Sequence, residues 1–431
     1  MNQLKRRILA FKGFWIGLTA GLLAVSFRMC LEGAEDIRGG ILLKAAAQGW
    51  GPAIGFAVLC GGIVATVVWI TVRFAPEASG SGIPHLKGYL AGMHALRAWR
   101  ILLVKFFGGV AGIGSGLALG REGPTVQLGA AIAKIWGDRL APNRVERKLL
   151  ISAGAGAGLA AAFNAPLAGV FFILEELQHS LNQTVLVTAF VASVTSDIVC
   201  RIIMGHLPVF HVQITQFPGI GMFPFFVLQG LFLGYLGLAF NKSLLWTSGR
   251  VRRWSMRGRL LLASGLGVGL GMIGFWKPEV LGLGGRLTEQ VLSNDVGFFG
   301  VVMYFFARFG LTLFSYSTGA PGGIFAPMLL LGALAGSFFG YATQSFHPGS
   351  SFDFTVWGVL GMVGFFSASV RAPITGTILI LEMTGAYDLL LPLMIVSLCA
   401  YSIPEFYKDR PIYDALLHRD NQQVELPNYS D

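Results

Sequence analysis

Three stretches of this chain, residues 49–72, 151–174 and 260–276, run without a single charged side chain. A bilayer span takes about 20 mostly apolar residues, so each run is expected to cross a membrane, and the chain has room for about ten spans. Composition agrees: 54% of the residues are hydrophobic and 13% charged, where soluble domains carry about 25% charged residues. A soluble fold would leave too much apolar surface uncovered. The expected class is an all-α polytopic membrane protein embedded in a lipid bilayer.

The net charge of +10 is distributed in short clusters: Lys5, Arg6 and Arg7; Arg144, Arg147 and Lys148; Arg250, Arg252, Arg253, Arg257 and Arg259; Lys408 and Arg410. Clusters between apolar runs read as cytoplasmic loops under the positive-inside rule, not as a nucleic-acid surface. Both termini are then expected in the cytoplasm. Residues 1–13 are expected as a cytoplasmic N-terminus and residues 14–30 as a first span; no small-residue cleavage site marks a removed signal. Cys30, Cys60, Cys200 and Cys399 stand singly in apolar sequence. They give no disulfide, metal or cofactor framework and read as buried thiols.

The apolar sequence is written twice. GREGPTVQLGA at 120–130 is followed 203 residues later by GIFAPMLLLGA, with Gly120, Pro124, Leu128, Gly129 and Ala130 repeated. NAPLAGVFFILEE at 164–176 returns 207 residues on as RAPITGTILILEM. Two motifs in one order at nearly one spacing indicate two halves, 14–207 and 217–403, with a short C-terminal segment, 404–431. Repeats interrupted by Gly and Pro point to a transporter fold with broken helices. Half-helix N-termini present unpaired N–H groups and a positive dipole end, which attract anions. Irregular backbone survives at that depth only where protein encloses it. Close helix packing explains most of the 59 glycines, including the GAGAG run at 154–158.

These segments resemble the CLC family of chloride channels and chloride/proton antiporters. Its three filter segments occur in order: GSGIP (Gly80, Ser81, Gly82, Ile83, Pro84), GREGP (Gly120, Arg121, Glu122, Gly123, Pro124) and GIFAP (Gly323, Ile324, Phe325, Ala326, Pro327), followed by RPIY ending at Tyr413. The resemblance implies two halves of inverted topology, a homodimer with one pore per subunit, and location in a bacterial inner membrane. It makes Ser81 and Tyr413 hydroxyl donors to chloride, with the backbone N–H groups of Ile324 and Phe325. It makes Glu122 a gate that takes a proton and swings aside, and Glu176 an internal proton-transfer site. A carboxylate at the helix centre costs about 2.5–3.5 kcal/mol on the lenient insertion scale, which makes both functional candidates. By repeat spacing Glu122 is matched with Phe325 and Glu176 with Met383, whereas Glu175 is matched with Glu382. Glu175 and Glu382 therefore read as a structural pair, and Arg121 as a structural charge.

The sequence departs from the family pattern after GSGIP, where His85 and Lys87 stand in place of acids. His85 reads as a surface histidine. Eighteen residues follow Tyr413, so no CBS domains are expected. The expected function is secondary active exchange of chloride for protons, with an uncoupled chloride channel as the alternative. Fluoride export is disfavoured by the retained serine and GREGP, and nitrate preference by Ser81 in place of proline. A serine–histidine enzyme built on Ser79 or Ser81 with His85 leaves the repeat unexplained.

Overall fold

The computed structural model describes residues 3–179, 182–210, 212, 219–346 and 353–424. Among them the regular structure is helical, apart from two isolated bridges. Eight helices are α1 (Gln3–Gln48), α2 (Trp50–Phe74), α3 (Ile83–Ala91), α4 (Ala98–Gly114), α5 (Glu122–Leu140), α6 (Arg144–Phe163), α7 (Pro166–Phe172) and α8 (Gln183–Met204). They are matched in order by α9 (Phe223–Arg252), α10 (Met256–Trp276), α11 (Gly285–Leu292), α12 (Phe298–Ser317), α13 (Phe325–Phe346), α14 (Thr355–Val370), α15 (Pro373–Thr384) and α16 (Leu390–Phe406). A last helix, α17 (Ile412–Val424), has no counterpart in the first half. Eight helices of the described residues are long and apolar enough to cross a membrane.

The repeat extends further than the two sequence motifs. A short 3-10 turn precedes α3 at Pro76–Ala78 and another precedes α11 at Pro278–Val280. The left-handed glycines that follow them agree closely: φ is 59° at Gly80 and 61° at Gly282, 81° at Gly82 and 78° at Gly284. GLGGR at 282–286 is thus the second copy of GSGIP, with Leu283 where Ser81 stands. Only the backbone turn is kept between them, which is why matching side chains did not reveal it.

Three expectations need correction. Residues 151–174 do not form one span. Asn164 ends α6 in the left-handed conformation at φ 52°, and Pro166 opens α7 at its first position, where its missing N–H is not needed. Arg371, at φ 67°, and Pro373 repeat that break between α14 and α15. The first helix begins at Gln3 and runs well past residue 30, so the expected first span, 14–30, is part of one longer helix. Of the four cysteines only Cys60 and Cys200 are buried; Cys30 is exposed. The expected boundary at 217 and residues 425–431 of the C-terminal segment lie outside the described residues.

Close backbone packing holds each half. Gly154 lies against the backbone of Gly129, joining α5 to α6, and Gly361 lies against Gly332, joining α13 to α14. A Cβ on Gly361 would collide with the Gly332 carbonyl oxygen, whereas one on Gly310 would have nothing within 4 Å. Gly361→Ala is expected to cost about 1–3 kcal/mol and to lower the thermal unfolding midpoint in detergent, while Gly310→Ala does not lower it. Equal midpoints for the two variants would refute the packing role.

Candidate functional site

The three filter segments meet as backbone. Gly120 N–H donates to the Gly323 carbonyl and Gly323 N–H donates to the Gly120 carbonyl, both at 2.7 Å. These are repeat mates, so the antiparallel pair is a local two-fold relating the halves, and it sets the first turns of α5 and α13 side by side. GSGIP joins them: Gly80 N–H donates to the Ala320 carbonyl at 3.2 Å, and Gly322 N–H donates to the Gly80 carbonyl at 3.0 Å.

Two buried cations brace these turns. Lys105 Nζ donates to the carbonyls of Ala78 at 2.9 Å and Gly80 at 2.6 Å. In the second half Arg308 donates to the equivalent carbonyls, Val280 at 2.7 Å and Gly282 at 3.0 Å. Both side chains are fully buried, and they stand 203 residues apart like the glycines. Sequence reading missed them, although an isolated cation inside an apolar helix, repeated at the motif spacing, was the available signal.

Ser81 is fully buried and lies against Gly123, where a Cβ would come 2.7 Å from its own Cβ. Its Oγ accepts from Ile83 N–H at 3.3 Å, and the Tyr316 phenol also interacts with it. Glu122, the first residue of α5, is 2% exposed and accepts from Ala326 N–H through Oε2 at 3.3 Å. Its carboxylate therefore reaches across the two-fold to the first turn of α13. Phe325, its repeat mate, is fully buried between Phe163 and Phe366, with ring centroids at 5.2 and 4.5 Å. Ile324 and Phe325 open α13, where N–H groups have no partner within the helix. Tyr413 is fully buried in α17, and its Oη has no hydrogen-bond partner among the described residues. It lies within electrostatic range of Glu176, Tyr316 and Glu122. Arg121 is paired with Glu32 at 3.3 Å.

The adjacent glutamates occupy a π-helical turn, Ile173–Gln178, that continues α7, and they point to different partners. Glu175 accepts from Ile374 N–H at 3.2 Å and from Thr375 N–H at 2.7 Å, at the start of α15. Glu382 accepts from Leu167 N–H at 3.1 Å and Ala168 N–H at 2.8 Å, at the start of α7. Each repeat mate thus caps the half-helix of the other repeat. Glu176 is 3% exposed and bonds to Lys87 Nζ at 2.8 Å.

His85 is not a surface residue. It is half-buried, its ring stacks on His94 at 5.5 Å, and both line a cavity of about 460 Å³ with Arg97, Arg252, Arg259 and Arg419. Ser79 donates to the Gly319 carbonyl at 3.0 Å, and His85 Nδ1 has no partner among the described residues. No serine–histidine pair is assembled there.

Helices broken in pairs, with enclosed irregular backbone between them, define an integral, multi-pass membrane protein of the inverted-repeat type. The family model described as voltage gated chloride channel matches residues 61–405. The chain is 37% identical over 432 residues to the H(+)/Cl(-) exchange transporter ClcA of Vibrio cholerae serotype O1 (strain M66-2), covering 97% of this chain and 92% of that protein. It is 36% identical over 419 residues to the protein of the same name from Citrobacter koseri, covering 94% and 87%. The crystal structure of a slow cyanobacterial Cl-/H+ antiporter superposes with a TM-score of 0.93 at 30% identity, over 97% of this chain and 99% of that one. The chain belongs to the CLC family.

The reciprocal caps make a quantitative expectation. Hydrogen bonds to a charged group contribute about 1.5–3 kcal/mol each, so Glu175→Ala and Glu382→Ala should each lower the detergent unfolding midpoint, Glu175→Ala the more, since Thr375 Oγ1 also donates to it at 2.7 Å. A loss confined to one of them would break the structural equivalence.

Proposed function

We propose that this protein is a secondary active transporter that exchanges chloride for protons. The observation that supports this most is one assembly holding neutral donors and two buried carboxylates. Ser81 Oγ, Tyr413 Oη and the N–H groups of Ile324 and Phe325 are read as the chloride ligands. Neutral donors suit an ion that has to leave again, since conduction needs binding strong enough to admit and weak enough to release. Tyr413, buried and without a hydrogen-bond partner among the described residues, is the hydroxyl with a donor to spare.

Glu122 is read as the gate. Ionised, it accepts from Ala326 N–H and occupies an anion's place at the start of α13. Protonated, it loses the charge that holds it there, and chloride takes over the donors. The ionised carboxylate and chloride therefore compete for one set of N–H groups, and the proton decides which of them holds it, which is the physical basis of exchange. Glu176 is read as the inner proton-transfer group, buried yet held by Lys87. An uncoupled channel has no use for a carboxylate at that depth, where it is costly. The relatives named as exchange transporters support the same reading. The assembly is read as a homodimer with one pore per subunit, in a bacterial inner membrane with both termini cytoplasmic.

Reversal potentials under opposed chloride and proton gradients test the reading: exchange shifts them with pH, and a channel follows chloride alone. Glu122→Gln should keep chloride flux and lower proton flux by at least about 100-fold, the usual worth of a positioned proton-transfer group. Chloride-driven proton pumping in that variant would reject the gate assignment. Tyr413→Ala removes one charge-assisted hydrogen bond, about 1.5–3 kcal/mol. Calorimetric chloride affinity should fall about 10- to 100-fold, and an unchanged affinity would remove Tyr413 from the site.

A further inference from the structure

Lys87 Nζ is bonded to two carboxylates, Glu176 at 2.8 Å and Asp414 at 2.5 Å. Lys87 and Glu176 side chains are 8% and 4% exposed, whereas that of Asp414 is 36% exposed. We infer that Asp414 is the entry carboxylate of the proton route, passing protons to Glu176 through Lys87. This rests on the exchange reading above.

Charge decides the direction of the argument. With all three groups ionised, the cluster carries one net negative charge in a buried setting, which is costly. One added proton makes it neutral, so the cluster is built to hold one proton beyond the fully ionised state. The proton enters where water reaches, at Asp414. Lys87 then gives one of its ammonium protons to Glu176 Oε1 and takes the Asp414 proton in return. Before the step Asp414 is protonated and Glu176 ionised; after it Asp414 is ionised and Glu176 protonated, and Lys87 is unchanged. Reversal carries a proton outward. The other charge acting on Glu176 is Glu175, which is committed to capping α15. His85, two residues before Lys87, stacks on His94 and lines the cavity instead.

The placement also joins the two routes. Tyr413 and Asp414 are neighbours in the first turn of α17, and Ser81 and Lys87 belong to one loop and the short helix it opens. Chloride donors and proton carriers thus alternate on two short elements packed together.

The test uses the full chain in liposomes, with chloride and proton fluxes recorded together. Wild type must first pump protons on a chloride gradient; failure there rejects the exchange reading and is separate from this proposal. Asp414→Asn should slow coupled exchange about 100-fold, and Asp414→Glu should restore it. In the Glu176→Gln background, where protons no longer pass, adding Asp414→Asn should slow chloride flux no further. A structural role for the ion pair would slow both backgrounds equally, and that result overturns the proposal. So does wild-type exchange by Asp414→Asn. Should Asp414→Asn fail to fold, Lys87→Gln is put through the same two backgrounds, with the same outcomes deciding.

Discussion

The mutual hydrogen bonds of Gly120 and Gly323 are the constraint on which the rest of the structure depends. Two helices can begin inside a membrane only if the backbone before them is satisfied by protein, since lipid offers no partners. Here each loop satisfies the other. Neither residue has room for more: a Cβ on Gly323 would meet Gly123 N at 3.0 Å, and one on Gly120 would meet Ala326 N at 3.1 Å. The pairing brings the positive ends of α5 and α13 together. That juxtaposition is electrostatically unfavourable alone, and an anion or a carboxylate between the ends relieves it.

The scaffold keeps its two-fold where geometry demands it and abandons it where chemistry does. Gly80 and Gly282, Lys105 and Arg308, Glu175 and Glu382 do the same work in both halves. Ser81 is matched with Leu283, Glu122 with Phe325 and Glu176 with Met383. In each of these three pairs the first copy carries the polar group and the second fills space. By the two-fold, a carboxylate at position 325 would lie at the N–H groups that open α5, facing Glu122 across the axis. A single Glu122, with Phe325 packed between two other phenylalanines, leaves one set of donors for one anion or one side chain.

Much of this was legible in the sequence. Charge-free runs gave the class, and Pro, Gly and the repeat spacing gave the broken helices. The break after α6 was legible too, since Ala165, the residue before Pro166, avoids the helical region. Hydropathy alone hid it, because half-helices are as apolar as spans. The GLGGR copy of GSGIP was hidden because a left-handed turn constrains glycine and leaves its neighbour free. The division of labour between Glu175 and Glu176 followed from repeat spacing, but the partners did not: Lys87 and Asp414 lie far apart in sequence and meet only because α17 returns onto α3. His85 was misread for the same reason, its neighbour His94 being brought back by the turn at Gly92, where φ is 90°.

The unequal counter-charges of the two bracing cations complete the asymmetry. Arg308 has Glu35 among the charges acting on it, and Glu35 also accepts from Leu283 N–H at 3.1 Å, so the second-half turn is locally balanced. Lys105 has no carboxylate partner among the described residues; burial alone acts on it. Its ammonium lies behind the carbonyls of Ala78 and Gly80, one residue from Ser81. An unpaired ammonium at such depth is costly, and a neutral amine keeps two N–H donors, enough for both carbonyls. Lys105 therefore braces the loop that carries Ser81 through hydrogen bonds and needs no charge to do so. On the exchange reading proposed above this suits the site: a cation in direct contact would trap chloride, whereas a brace acting through the backbone leaves the proposed ligands neutral and the ion free to leave.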